Sequence, residues 1–235
     1  MTIKAIIFDV DGTLADTEDA HRIAFNKAFA DNDLDWNWDV SLYDKLLKVT
    51  GGKERIKYYV SDFNTAYAKP ENFDDFVKHL HKVKTAHYTA MLADGRIPLR
   101  PGIKRLIQSA HQSGVTLAIA TTTSPENVAA LLEVGLGKDW ERYFSAVGCG
   151  DIVPAKKPAP DIYNWVLDQL KLAPQDCIAI EDTNNGLRSS LGAGIKTYIT
   201  VNDYTHGQDF TGAAAVFKDL GDLPAFYRAT GLPLA

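Results

Sequence analysis

The sequence has few cysteines, no long apolar run and no excess of basic charge. Its two cysteines, Cys149 and Cys177, have no CxxC spacing, which argues against a disulfide framework or a cysteine zinc site and fits a reduced cytoplasmic protein. No apolar stretch approaches the roughly 20 residues that a membrane span requires. The apolar run at residues 3–8 leads directly into acidic residues, unlike a secretory signal peptide. The net charge of −5 argues against nucleic acid as the main partner.

The stretch IKAIIFDVDGTLADTE, residues 3–18, combines a predicted buried strand with a pair of acids. The apolar run is short and β-branched, as is typical of a strand in a parallel sheet. It ends in Asp9 and Asp11, at the end of the strand where open α/β sheets bind ligands. Two carboxylates so close repel each other unless a proton or a cation such as Mg²⁺ lies between them. Taken alone, the same residues equally predict a strand followed by an acidic Asp-Gly turn.

The apolar spacing differs between residues 16–95 and the rest of the 235-residue chain. In residues 16–95 it predicts helices only, near residues 18–29, 42–50, 53–63 and 73–92. Strands and helices alternate after residue 101, with strands predicted at residues 115–120, 144–147, 177–180, 197–201 and 215–217. This alternation implies βαβ units and a parallel sheet with helices on both faces. We therefore predict an α/β fold: a Rossmann-like doubly wound core of residues 1–15 and 96–235, with a helical cap domain of residues 16–95 inserted after the first strand.

Polar groups with compatible chemistry follow four of the predicted strands. In chain order they are Asp9 and Asp11, Thr121 and Thr122, Lys157, and Glu181 with Asp182. Because the carboxyl ends of parallel strands meet at one edge of a sheet, these groups are expected to converge. Carboxylates, hydroxyls and a lysine gathered around a metal are typical of phosphoryl transfer.

Each of these groups also has a plainer explanation. Threonine is common in strands, and a single lysine such as Lys157 is usually a solvated charge. Glu181 and Asp182 can simply stabilise the N-terminus of the helix that follows. The coincidence of four such groups in the right order favours the functional interpretation.

The motifs resemble those of haloacid dehalogenase-superfamily phosphatases over essentially the whole chain. DVDGTLADTE matches the family's first motif, DxDGT; Thr121 lies at the second, KKPAPDIY at the third and EDTNNG at the fourth. The first and last motifs are specific, whereas a lone threonine or lysine is not. The helical insertion resembles the cap of the subgroup that includes β-phosphoglucomutase. Within it, VTGGKERI (49–56) and GRIPLRPG (95–102) resemble CbbY-like proteins, which implies removal of a phosphate from xylulose 1,5-bisphosphate, a Rubisco inhibitor, in connection with the Calvin cycle.

The resemblance implies a role for each core residue. Asp9 is expected to be the nucleophile that forms an aspartyl-phosphate, and Asp11 to protonate the departing sugar oxygen and then to activate water. Thr121 and the Thr122 amide are expected to bind phosphoryl oxygens, while Lys157 offsets their negative charge. The implied ligands of Mg²⁺ are Asp9, the main-chain carbonyl of Asp11, and Asp182, with Glu181 a helper more than a direct ligand.

Substrate selection is assigned to the cap, which can close over the site and exclude water. The candidate substrate-binding residues there are Glu18, His21, Thr50, Gly51, Gly52, Lys53 and Arg55. The glycines let the backbone approach a ligand, and Lys53 and Arg55 are expected to bind a second phosphate. His21 matches a histidine that assists proton transfer in β-phosphoglucomutase, and a helix-surface imidazole is an equal alternative. The basic strip at residues 78–84 is predicted to be a solvated helix face, and Trp36 and Trp38 to be packing residues.

A Mg²⁺-dependent sugar-bisphosphate phosphatase is the leading hypothesis, with a small sugar phosphate as partner, no nucleic acid or membrane partner, and a monomeric state expected. A β-phosphoglucomutase-like mutase, or a phosphatase of another sugar phosphate, is the second. A signalling module that uses Asp9 only as a phosphate acceptor is the third, disfavoured by the long cap and by Asp11. A true dehalogenase is disfavoured as well, because it has no use for Mg²⁺ or for a second, proton-donating acid.

Overall fold

A six-stranded parallel sheet lies at the centre of the part of the chain that the computed structural model describes, residues 3–95 and 97–232. In chain order the strands are β1 (Ala5–Phe8), β2 (Thr116–Ala120), β3 (Ala146–Gly148), β4 (Cys177–Glu181), β5 (Lys196–Thr200) and β6 (Ala215–Phe217). Their order across the sheet is β3-β2-β1-β4-β5-β6. The central strand β1 is completely buried, which explains why it is apolar on both faces. The predicted α/β fold with a parallel sheet is confirmed.

Helices cover both faces of this sheet. They are α5 (Ile103–Gln112), α6 (Pro125–Leu136), α7 (Asp161–Leu170), α8 (Asn184–Gly192) and α9 (Leu223–Thr230), with short 3-10 turns at Trp140–Tyr143 and Pro174–Asp176. Alternate residues of β1 point to opposite faces, so that Ile6 and Phe8 pack with α5, α6 and α9, whereas Ala5 and Ile7 pack with α7. Helix α6 ends at Leu136, and Gly137 follows it with a φ of 100°.

Four helices form the insertion that follows β1 and precedes α5. They are α1 (Glu18–Ala30), α2 (Val40–Leu46), α3 (Gly52–Tyr58), which continues into a π turn at Tyr59–Phe63, and α4 (Phe73–Ala93). The helix predicted near residues 42–50 ends early, because the chain turns before Gly51, whose φ is 98°. Trp36 and Trp38 are buried against Phe29 in an aromatic cluster, which confirms that they are packing residues. None of the helices in the described ranges has the length and apolar character needed to cross a membrane.

The register of the sheet determines which loops meet. Phe8, the last residue of β1, is paired with Ile119 of β2 on one side and with Ile180 of β4 on the other. The residues that follow these three strands therefore emerge side by side. The predicted boundary of the core at Arg96, and residues 1–2 and 233–235, lie outside the described residues.

Candidate active site

A buried lysine joins the ends of the central strands. Lys157 Nζ donates to Asp9 Oδ1 at 2.6 Å, to the carbonyl of Ala120 at 2.8 Å and to Glu181 Oε1 at 2.5 Å. These three acceptors match the three N–H groups of an ammonium. Burial alone would lower the pKa of Lys157, but the charges of Asp9 and Glu181 outweigh it and raise the pKa. Lys157 is thus a charged group inside the protein, and the alternative of a solvated lysine is wrong.

Three buried carboxyl groups share this corner of the molecule. Oxygens of Asp9, Glu181 and Asp182 lie within 4.8 Å of one another. Glu181 Oε1 also accepts from the hydroxyl of Tyr163 at 2.6 Å, and Asp182 Oδ2 from the amide of Asn202 at 2.8 Å. One ammonium does not balance three carboxylates, and a divalent cation held by these oxygens would supply the missing positive charge.

The pKa values of two of these acids reflect the imbalance of charge. Burial raises the pKa of Asp9 to about 8, against the opposing effect of Lys157. Burial, and then the negative charges of Asp9 and Glu181, raise the pKa of Asp182 well above its ordinary value. A bound cation would lower both pKa values by favouring the ionised forms.

The end of β2 contributes hydroxyls next to the carboxyl cluster. Thr121 is buried, its N–H donates to the carbonyl of Gly148 at 2.9 Å, and its hydroxyl accepts from the N–H of Thr123 at 3.3 Å. Ser124 then caps α6 by accepting from the N–H of Asn127 at 3.4 Å. The segment therefore places hydroxyls before a helix N-terminus, a position that favours anions.

Asp11 is held by the cap side of the site. Its Oδ1 accepts from the hydroxyl of Thr17 at 2.7 Å and from that of Tyr88 at 3.4 Å. His21 Nε2 lies 2.9 Å from the same oxygen, close enough for a hydrogen bond but without its alignment. Burial alone would raise the pKa of Asp11, but the interactions with His21, Thr17 and Lys84 outweigh it and lower the pKa. The surroundings of Asp11 thus favour a carboxylate.

Behind His21 lies Lys84, the last residue of the basic strip at 78–84; the prediction of a solvated face is wrong for this lysine, which is buried. Lys84 Nζ is 2.5 Å from His21 Nδ1, and the imidazole stacks on Tyr88 with 3.9 Å between the ring centroids. Since an ammonium can only donate, a charged Lys84 makes Nδ1 an acceptor and leaves the imidazole proton on Nε2, facing Asp11. Burial lowers the pKa of His21 against the effect of Asp11, and Lys84 lowers it further. His21 is thus a buried link between Lys84 and Asp11, and the surface alternative is wrong.

The helical spacing of apolar residues in α4 indicates that Lys84 is buried, although the neighbouring basic residues at 78–84 hide this pattern in the sequence. Lys84 occupies the apolar stripe of α4 together with Val77, Leu80, Tyr88 and Leu92, all of them buried. A lysine at a core position of a helix is unusual unless it has a partner. Lys78, in contrast, is exposed and pairs with Asp75 as the predicted solvated face requires.

A second cap cluster joins Glu18, Tyr43 and Arg55. The hydroxyl of Tyr43 donates to Glu18 Oε2 at 3.1 Å and accepts from Arg55 Nη1 at 2.8 Å. Arg55 also lies over the ring of Tyr43, 5.2 Å from its centroid, and its Nε is buried without a hydrogen-bond partner. Tyr43 therefore orients two predicted substrate-binding side chains, and Arg55 retains an unsatisfied N–H for a ligand.

The loop Thr50–Gly52 closes the site from the other side. Asn185, at the start of α8, donates to the hydroxyl of Thr50 at 3.1 Å and to the carbonyl of Lys48 at 3.2 Å. A Cβ on Gly52 would come within 2.7 Å of the His81 ring, so this position has no room for a side chain. Burial, with Lys84 and Lys53 nearby, lowers the pKa of His81 to about 3 and keeps its imidazole neutral.

Lys53 is placed differently from its neighbours in the loop. It forms an ion pair with Asp151, in the loop after β3, and Lys156 Nζ donates to the other oxygen of Asp151 at 2.6 Å. Lys53 does not line the cavity that lies between the cap side and the core side of the site. Its assignment to a second phosphate stays a prediction, while the structure gives it a contact across the cap and core.

A cavity of about 1170 Å³ lies between these two sides. The predicted residues that line it are Asp9, Asp11, Glu18, His21, Thr50, Gly51, Gly52, Arg55, Thr121, Thr122, Lys157, Glu181 and Asp182. Further lining residues that sequence reasoning missed include Lys84, His81, Asn185 and Tyr204. The guanidinium of Arg55 on the cap suits an anionic group of a ligand, and a cation held by the carboxylate cluster would suit a second anionic group at the other end.

Comparison with known proteins agrees with this geometry. A family model described as haloacid dehalogenase-like hydrolase matches residues 3–217. The plasmid-encoded protein CbbY of Cupriavidus necator is 49% identical over 220 residues, which cover 94% of this chain and 87% of that protein. A crystal structure of CbbY from Rhodobacter sphaeroides in complex with phosphate has a TM-score of 0.87 at 42% identity, covering 94% of this chain and 96% of that one. A structure of a CbbY mutant from the same organism, in complex with xylulose-(1,5)bisphosphate, has the same TM-score, identity and coverage.

Proposed function

The chain belongs to the family of haloacid dehalogenase-like hydrolases, and from that membership we propose that it is a Mg²⁺-dependent phosphatase of small sugar bisphosphates. The substrate that we favour is xylulose 1,5-bisphosphate, which is the ligand of the similar CbbY structure. The observation that carries the proposal is the position of Asp9. Its carboxylate is bound to a buried ammonium, beside two further acids, at one end of a cavity whose opposite side carries Arg55.

Mg²⁺ fits the donor set at this end of the cavity. Asp9 and Asp182, with the main-chain carbonyl of Asp11, would hold it, and the raised pKa values of both carboxyl groups are consistent with a cation as their partner. Glu181 suits a supporting role, because Lys157 and Tyr163 already occupy its Oε1. When bound, the cation would neutralise negative charge on the transferring phosphoryl group.

Asp9 and Asp11 divide the chemistry between them. Asp9 Oδ attacks phosphorus, and the bond from phosphorus to the sugar oxygen breaks to give an aspartyl-phosphate and a free hydroxyl group on the sugar. The leaving oxygen takes a proton from Asp11, which must first have gained one. Water then attacks phosphorus and gives its proton to the Asp11 carboxylate, and the bond from phosphorus to the Asp9 oxygen breaks to release phosphate and restore the Asp9 carboxylate. The hydrogen bonds of Asp11 to Thr17 and Tyr88 favour its ionised form, so they assist the second step.

The other core residues bind and orient the phosphoryl group. Thr121 and the amide of Thr122 donate to its oxygens, and Lys157 keeps Asp9 oriented and offsets negative charge as it develops. Thr121 and Thr122 come directly after β2 and shortly before α6, so the fold of the core sets their positions.

The cap, taken as residues 16–95, would select the substrate. Arg55 is the residue proposed to hold the second phosphate, since its guanidinium is preset by Tyr43 and keeps an unpaired N–H. Gly51 and Gly52 leave the backbone open to the ligand, and Glu18 and His21 complete the cap side of the cavity.

Phosphate release from a panel of pentose and hexose monophosphates and bisphosphates, with and without Mg²⁺, tests the proposal. We expect Mg²⁺-dependent release, with the highest kcat/KM for a pentose bisphosphate. Transfer of phosphate between two positions of one sugar without net release would indicate a mutase. A phosphorylated protein that persists after the substrate is exhausted would indicate a phosphate-accepting module. The Asp9→Asn variant is the control for contaminating phosphatases.

A further inference from the structure

Arg100 is a buried arginine that does not line the cavity but is bonded to the segments that shape it. It lies in the segment that returns from the cap to the core and is only 7% exposed. Nη1 donates to the carbonyl of Gly12 at 2.6 Å and to Thr200. Nη2 donates to the carbonyls of Val201 and Lys218. Nε lies 3.2 Å from Asp16 Oδ1. Both Nη1 and Nη2 therefore donate hydrogen bonds to backbone carbonyls, while Nε makes only an ion-pair contact.

These acceptors belong to different parts of the molecule. Gly12 and Asp16 lie in the outgoing linker between β1 and the cap, and Arg100 itself lies in the returning linker. The N–H of Arg100 also donates to the carbonyl of Leu14 at 2.8 Å, which joins the two linkers directly. Thr200 ends β5, and Lys218 follows β6. One side chain thus fixes both linkers of the cap to the sheet.

The bond to Gly12 brings Arg100 within one residue of Asp11. Gly12 has a φ of 78°, and a Cβ there would lie 2.1 Å from Asp182 Oδ2, so this backbone is packed directly against the carboxyl cluster. Asn202 donates both to the Gly12 carbonyl at 3.3 Å and to Asp182. The Gly12 peptide is therefore held from two sides against the acid cluster.

The carboxylate of Asp11, in contrast, is held by cap residues beyond the outgoing linker. Thr17 and Tyr88 bond to it, and His21 approaches it. The position of Asp11 relative to Asp9 consequently depends on how the linkers fix the cap to the core. A shift of about 1 Å in such a group is enough to slow catalysis about 100-fold.

We propose that Arg100 is a positioning residue, which joins both cap linkers to the sheet and thereby holds Asp11 where it can transfer a proton to and from the reacting oxygens. This role rests on the proposed phosphatase function. A lysine has three donors on one nitrogen and cannot reproduce the planar arrangement of Nη1 and Nη2, so Arg100→Lys should keep the charge but lose the arrangement.

The leaving group distinguishes this role from a merely structural one. When the bond from phosphorus to a sugar oxygen breaks, that oxygen needs the proton of Asp11, whereas p-nitrophenolate leaves as a stable anion without one. For Arg100→Lys we expect the first-turnover rate with a sugar phosphate to fall about 30-fold, and the first-turnover burst of p-nitrophenolate from p-nitrophenyl phosphate to fall less than about threefold.

Tyr198→Phe is the matched control. It removes a partly buried hydrogen bond from the hydroxyl of Tyr198, in β5, to the carbonyl of Ala229 at 3.0 Å, far from the linkers in sequence. We expect it to lower stability without changing the ratio of the two rates. Equal losses on both substrates in Arg100→Lys, or no loss on either, would overturn the proposal.

A second variant covers the case in which Arg100→Lys does not fold. Asp16→Ala removes only the exposed ion-pair partner of Nε, and we expect a selective two- to threefold loss on the sugar phosphate, roughly the effect of a weak exposed ion pair. An unchanged ratio of the two rates in this variant would then contradict the proposal. If the native protein releases no phosphate from any sugar phosphate, the proposed function is wrong. If it releases phosphate but the two rates of Arg100→Lys fall equally, only the proposed role of Arg100 is wrong.

Discussion

The two sides of the cavity are built in different ways. On the core side, Asp9, Glu181 and Asp182 follow directly from neighbouring strands, and the register of the sheet brings them together around Lys157. On the cap side, the polar groups lie on separate helices and are held by one another. The pairs there are His21 with Lys84, and Arg55 with Tyr43.

This difference separates the chemistry from the selection of substrate. The core side is fixed by backbone hydrogen bonds of the sheet, so its geometry survives changes in single side chains. The cap side depends on pairs of side chains that are buried together, so loss of one partner changes the position of the other. Substitutions on the core side should therefore stop the reaction, while those on the cap side should alter its rate and its preference among substrates.

Asp9→Asn should have the largest effect, because it removes the nucleophile. We expect kcat to fall at least about 10⁴-fold, while the amide oxygen still accepts from Lys157 and the thermal midpoint stays within about 3 °C. Phosphate release and a thermal melt check this. Asp176→Asn, which alters an acid that pairs with Lys4 away from the cavity, is the control. Turnover at the native rate in Asp9→Asn would refute the nucleophile.

Lys84→Met should break the cap side without damaging the core side. Loss of the ammonium leaves His21 Nδ1 without its partner and removes a positive charge close to Asp11, so we expect kcat to fall about 100-fold, as for the loss of a general acid or base. The exposed Lys78→Met on the same helix is the matched control. Similar effects of both variants would show that Lys84 has only a general electrostatic role.

The stability of Lys84→Met should depend on pH in a defined direction. Burial lowers the pKa of Lys84 from the ordinary 10.5 to about 7. Between these values the unfolded chain binds a proton that the folded chain does not, so the free energy of unfolding rises with pH. The destabilisation caused by Lys84 is therefore complete below pH 7 and vanishes above pH 10.5. The advantage of Lys84→Met in urea denaturation, meaning its free energy of unfolding minus that of the native protein, should shrink between about pH 7 and about pH 10. A constant or growing advantage would contradict the lowered pKa.

The same contrast explains how much the sequence predicted. Asp9, Lys157 and Asp182 were found because strand ends are local features and a parallel sheet forces them to one edge. Lys84 was missed because its role depends on which helix faces α1, and helix spacing alone does not give that partner. The position of Lys53 depends in the same way on a contact with Asp151, 98 residues later in the chain.

Arg55→Ala should change substrate preference more than rate. If its guanidinium holds the second phosphate, its loss should raise KM for a sugar bisphosphate about 10- to 100-fold and leave KM for the monophosphate within about threefold. Arg22→Ala is the matched control, because Arg22 lies on the same cap and bonds to Trp38 and Asp19. Equal changes of KM for both substrates would remove Arg55 from the distal site.

Asp151→Asn should have the smallest effect and tests the contact between the two sides directly. The substitution removes the ion pairs of Asp151 with Lys53 and Lys156, although its side chain is 60% exposed. Exposed pairs contribute up to about 1 kcal/mol, so we expect at most a fivefold increase of KM, with kcat for p-nitrophenyl phosphate unchanged. The increase should disappear at high salt, where the native ion pair is itself screened. An effect that persists at high salt would mean that Asp151 orders its loop by hydrogen bonds instead, and that the closure of this cap does not depend on the charge of Lys53.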